Sequence, residues 1–179
     1  MSTLNRILGP ALVAAVGIGM GTPPAMVAGS APSALQPAAR ANTCALASNA
    51  DLGAILGKKI VNSKSFSSGG DACMWYDEEK MDAVQVIILT SVQDFEAGRT
   101  MAFPGGKPIA GLGVDAFLMK YGALHAKTTT KALFVQSSFP VADGKISDPI
   151  KNAAPGAKPG ELAIFEASYR IAKLVLGKV

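Results

Sequence analysis

The stretch AVQVIILT at residues 83–90 decides the fold. In an extended chain Val84, Val86 and Ile88 fall on one side, and Ile87 and Leu89 on the other. Beyond Gln85 both sides are apolar, as in a central strand covered on two faces. Before it, residues 73–76 read as a short aromatic strand and 77–82 as the polar connection. After it, residues 93–101 read as a short helix with Ser91 as a cap, stopped by Pro104-Gly105-Gly106.

Further out, residues 108–114 form a Gly-rich loop, and residues 115–120, 123–128 and 132–138 a three-stranded meander. Its turns fall at Tyr121-Gly122 and at residues 129–131. Residues 140–159 read as irregular. A broadly apolar helix then runs from Gly160 or Glu161 to Leu176, with a polar strip limited to Glu166, Arg170 and Lys173. On the N-terminal side, Ser48 or Asn49 caps a short helix carrying Asp51 in its first turn and stopped by Gly57, and residues 65–71 (SFSSGGD) read as a loop. The expected fold is α+β: an antiparallel sheet of about five strands packed with a short N-terminal helix, a middle helix and a C-terminal helix. The connections inside each group of strands are too short for parallel crossovers.

The first thirty residues read as a secretory signal peptide. Arg6 precedes an apolar run at residues 7–20, and Ala28-Gly29-Ser30 supplies small residues for cleavage. No Cys closes the apolar run, so a lipid anchor is not expected. Residues 31–42, rich in Pro, Ala, Gly and Ser, read as a disordered spacer, and residues 43–179 as one domain. No second apolar run reaches membrane length, so no integral span is expected in the mature chain. The sequence holds 17 basic and 13 acidic residues; loss of Arg6 with the signal leaves 16 against 13. That mild, scattered excess argues against a nucleic-acid partner. Two Cys in an exported chain, Cys44 and Cys73, imply one disulfide, worth roughly 3.5 kcal/mol for a loop of about thirty residues.

Cys44 before a helix ending Leu56-Gly57, Cys73-Met74-Trp75, and Gly111-Leu112-Gly113 before Ala116-Phe117 form a framework. It resembles small secreted bacterial proteins of unknown function, many of them actinobacterial lipoproteins, over residues 44–138. The resemblance implies a disulfide-bridged envelope domain and carries over no catalytic residue.

Gly111-Leu112-Gly113-Val114-Asp115-Ala116 also fits a dinucleotide fingerprint, but that motif works only between a strand and a helix N-terminus. Here a strand follows it, and a tight turn is the reading. His125 is the single histidine and falls on the same strand face as Lys127; a surface or partly packed histidine is expected, with a hydrolase using His125 as the alternative. With both Cys committed to each other, no zinc site is expected. The acidic Asp77-Glu78-Glu79 with Asp82 lacks the spacing of a calcium loop and reads as a solvated turn.

Trp75 is expected in the core beside the bridge, with Tyr76 on the opposite face. Tyr76, Tyr121, His125 and Lys127 are the candidate contact residues. No catalytic residue, metal ligand or cofactor is expected. The functional expectation is an exported, periplasmic or extracellular, non-catalytic module that binds an envelope protein or a small apolar ligand. A protein inhibitor acting through a long loop, at residues 103–113 or 142–160, is the further alternative.

Overall fold

A computed structural model describes residues 42–67, 70–89 and 91–179. The expected signal peptide, and the spacer apart from Asn42, lie outside the described residues. The elements are a 3-10 turn (Thr43–Leu46), α1 (Asn49–Leu56), β1 (Ile60–Ser67), β2 (Gly70–Asp77), β3 (Asp82–Leu89) and α2 (Val92–Ala97), which runs on as a 3-10 turn (Gly98–Met101). Then come β4 (Asp115–Leu118), a 3-10 turn (Lys120–Gly122), β5 (Ala123–Lys127), β6 (Ala132–Ser137), α3 (Asp148–Ala153) and α4 (Pro159–Leu176).

The six strands form one antiparallel sheet in the order β1-β2-β3-β6-β5-β4. Two meanders, β1-β2-β3 and β4-β5-β6, are thus joined where β3 pairs with β6. The apolar residues of β3 lie at this centre, with Val86 opposite Val135 and Ile88 opposite Leu133.

Period-two alternation divides the side chains between two faces. Trp75, Val84, Val86, Leu124, Ala126, Leu133 and Val135 pack with Leu52 of α1 and with Phe165, Ile171 and Val175 of α4 in the larger core. The opposite face carries a smaller core in which Phe95 of α2 meets Phe117, Met119, Ala123 and Ala132. Cys44 and Cys73 are bonded, tying the first turn to β2 beside the fully buried Trp75.

The helix ends follow local chemistry. Ser48 Oγ accepts from the Asp51 N–H at 3.1 Å and Asp51 Oδ2 from the Ser48 N–H at 3.3 Å, while Gly57 stops α1 at φ 64°. Ser91 Oγ accepts from the Asp94 N–H at 3.2 Å and starts α2.

Three expectations are corrected. The sheet has six strands, because β1 occupies residues expected to be loop or unassigned. Its sequence IVNSKSFS shows no apolar alternation, since an edge strand leaves most of its side chains exposed. The irregular segment 140–159 contains α3, fixed by Glu166. That side chain does not face solvent with Arg170 and Lys173 but is 2% exposed, and its Oε2 accepts from Ser147 N–H at 3.0 Å and Ser147 Oγ at 2.7 Å.

Candidate functional site

The β4–β5 turn holds the most exposed aromatic ring of the described residues. Tyr121 is 88% exposed and has φ 67° and ψ 29°, followed by Gly122 at φ 81°. Paired left-handed residues suit the twist of a tight hairpin turn, and Gly, Asn or Asp normally fill them. A tyrosine there gains nothing from the turn and gives up the conformational ease of those residues.

The turn is held firmly from behind. Ser168 Oγ of α4, fully buried, donates to the Gly122 carbonyl at 2.6 Å and accepts from the Ser137 N–H at 3.0 Å. Gly122 approaches Ile164 so closely that any β-carbon there would overlap it. The Tyr121 carbonyl also accepts from Gln136 Nε2 at 3.4 Å. The exposed ring therefore stands on an anchored backbone.

Grooves open on both sides of it. One, of about 460 Å³, runs between Phe103 and Pro104 and the α4 residues Ile164 and Phe165, with Glu161 at its rim. Phe103 and Phe165 meet edge to face at 5.4 Å and form its floor. The other, of about 330 Å³, is walled by Met101, Met119, Ala123 and Phe134, with Gln136 at one end. Lys120 and Tyr121 border both, so they form the ridge between two apolar hollows. Met101 is 54% exposed at the rim. Methionine and aromatic walls adapt to differently shaped apolar partners. A third hollow of about 470 Å³, at Thr43, Ser65, Phe66 and Asp71, is lined about equally by polar and apolar surface.

The other contact candidates lie elsewhere. Tyr76 is half-buried on β2 and borders neither groove. Lys127 is half-buried, its Nζ 2.8 Å from Glu96 Oε1 and 3.7 Å from Asp115 Oδ2, and it lies over the Phe95 ring at 4.7 Å. His125 is 5% exposed beneath α2, boxed by Phe95, Phe117 and Phe134 at 5.9, 5.3 and 5.4 Å between ring centres. Burial pushes the imidazole below its ordinary 6.5, against a hydrogen bond to the Phe95 backbone, and Nδ1 has no hydrogen-bond partner. A general base has to reach both its substrate proton and an orienting acid. Among the described residues the ring is walled by Phe95, Phe117 and Phe134, and its hydrogen bond goes to the Phe95 backbone rather than to an acid.

The glycine motif at residues 111–116 leads into β4 rather than into a helix, with Gly111 at φ 76° and Gly113 at φ 68°. It is a turn, without the amide cradle of a dinucleotide site. Asp77 is buried and accepts from the Glu79 and Met81 N–H groups at 3.0 and 2.9 Å, so it shapes the β2–β3 connection. Among the described residues no three His, Cys, Asp or Glu side chains converge as metal ligands, and no helix is long and apolar enough to cross a membrane.

The sequence signal for Tyr121 was the Tyr-Gly turn between two strands. For Met101, Met119 and Phe134 there was none, because apolar residues at strand and turn positions read as core. The chain matches no protein-family model, no curated protein and no solved structure.

Proposed function

We propose that this is an exported, non-catalytic module that docks a partner protein at the Tyr121 ridge. The ring enters the partner, and the flanking grooves receive the partner's apolar side chains. The observation that carries the reading is a tyrosine 88% exposed on a left-handed, anchored turn between two apolar hollows. Strained backbone concentrates at functional positions. Tyrosine supplies large contact area for few rotatable bonds, which is why it is enriched at binding hot spots. An anchored turn has already lost the backbone freedom that binding would otherwise remove. Export is supported by the signal-like residues 1–30 and by the Cys44–Cys73 bridge, since such bridges persist in oxidising compartments.

The test is site-specific photo-crosslinking in the producing cell. A benzoylphenylalanine at position 121 is expected to give a discrete adduct that the same probe at Val61, exposed on the far strand, does not. Met101→Asp should abolish the adduct without lowering secretion. Equal labelling from both positions would sink the proposal. Native mass spectrometry of the protein taken gently from its host separates the small-ligand reading: an extra mass of a few hundred daltons, lost in Tyr121→Ala, would replace the partner protein with an apolar small molecule.

A further inference from the structure

The lid over the smaller core rests on a buried histidine that pairs with no carboxylate among the described residues. Phe95 of α2 lies on the His125 ring at 5.9 Å, with 26° between planes. The ring edge bearing Nδ1 and Cε1 abuts the Gly98 backbone so closely that a β-carbon there would overlap both atoms. Nδ1 is thus enclosed as well as unpartnered. Below and beside the ring are Phe117 of β4 and Phe134 of β6.

The charged groups around this cluster are already matched. From the lid, Arg99 lies 5.3 and 4.8 Å from the Phe95 and Phe117 ring centres, and Lys127 of β5 lies 4.7 Å over Phe95. Arg99 Nε is 2.6 Å from Glu96 Oε2 and Lys127 Nζ is 2.8 Å from Glu96 Oε1. Asp115 of β4 pairs with Arg99 and lies 3.7 Å from Lys127. Asp94 is occupied with the Ser91 cap at the start of α2. Two carboxylates therefore serve two cations. An imidazolium in this box would be a third positive charge, desolvated, held by one hydrogen bond to the Phe95 backbone and left with its Nδ1 proton unpaired.

We propose that Val92–Met101 is an acid-released latch on the sheet, with His125 as its proton sensor. Protonation is accommodated only when the segment lifts and the ring meets water. The proposal stands on this geometry and not on the docking function. The sign follows from linkage. The closed state holds the imidazole below its ordinary 6.5 through burial, so the open state binds more protons as pH falls below that value. Latch closure is complete above 6.5 and weakens as pH drops from 6.5 towards the depressed closed-state value. Within that window the opening constant rises up to about tenfold per pH unit. Glu96 is held below its usual 4.5 first by the Lys127 hydrogen bond and then by that of Arg99, so it stays ionised through the same range.

The experiment is amide hydrogen exchange of the full exported chain from pH 7.5 to 5.0, corrected for intrinsic exchange. It is run beside a nuclear magnetic resonance titration of His125, which is unambiguous because the chain has one histidine. Amides of residues 92–101 should lose protection up to about tenfold per unit below pH 6.5, while those of β2 and β3 keep theirs. Glu96→Gln should loosen the segment at every pH and retain the slope. His125→Gln should remove the slope; where that variant does not fold, the wild-type titration decides. A His125 that titrates at or above 6.5, with protection of residues 92–101 unchanged down to pH 5.5, overturns the proposal.

Discussion

Replacing Tyr121 by glycine should make the protein more stable. The backbone at φ 67° and ψ 29° costs an L-residue about 1–2 kcal/mol relative to its right-handed alternatives. Glycine removes that cost but gives the unfolded chain more freedom, worth about 0.4–1 kcal/mol in the other direction. The ring is 88% exposed, so little buried area is forfeited. The Gln136 bond goes to the backbone carbonyl and survives the change. The net expectation for Tyr121→Gly is a gain of roughly 0.5–1 kcal/mol, or about 2–4 °C in Tm. Tyr121→Asn, which also tolerates the left-handed region, should gain a little, whereas Tyr121→Ala keeps the strain and should stay within about 0.5 kcal/mol of wild type. Urea unfolding followed by the fluorescence of Trp75, the single and fully buried tryptophan, measures all three. If glycine and asparagine instead lose more than about 1 kcal/mol, the ring is packed and the argument for a strained contact residue collapses. Tyr121→Gly should gain this stability while losing affinity for the partner, the trade expected when a site is shaped for binding.

Cys44→Ser with Cys73→Ser should cost roughly 3.5 kcal/mol, from loop closure over a separation of 29 residues. The same urea titration reads this, and a loss below about 1 kcal/mol would show that the first turn is held mainly by packing. Glu166→Ala leaves the Ser147 N–H and hydroxyl without their acceptor and takes one of two carboxylate partners from Arg170. It should cost about 2–3 kcal/mol and expose residues 142–158 to limited proteolysis, whereas unchanged cleavage would mean that α3 is fixed without Glu166.

What could be read from the sequence followed how strongly burial marks the residue pattern. The 83–90 stretch is apolar on both sides because helices cover both sides, and the caps at Ser48 and Ser91 and the stop at Gly57 are local chemistry. β1 escaped because an edge strand with a solvent-facing pattern looks like a serine-rich loop. Glu166 escaped because its position on α4 matches a surface charge, and only the path of residues 140–158 places Ser147 over it. The alternation that put His125 beside Lys127 was correct, yet alternation assigns a face and not its cover. The lid that buries His125 starts some thirty residues earlier in the chain. The grooves beside Tyr121 combine the β4–β5 turn, β5, β6, α4 and the segment after α2, so no local stretch encodes them.

The ridge and the latch meet at two residues, Met101 and Phe134. Met101 ends the lid segment and also walls the smaller groove, while the opposite side of the ridge belongs to α4 and is tied to the turn through Ser168. Phe134 belongs to both places as well, lining that groove and standing edge-on to His125. One groove therefore has a wall that depends on the protonation of a histidine, and the other does not. A partner using only the Phe103–Phe165 side would bind with the same affinity on either side of pH 6.5. A partner that also seats against Met101 would be released as the lid lifts. The pH dependence of any partner's affinity would thus report which side of Tyr121 it occupies.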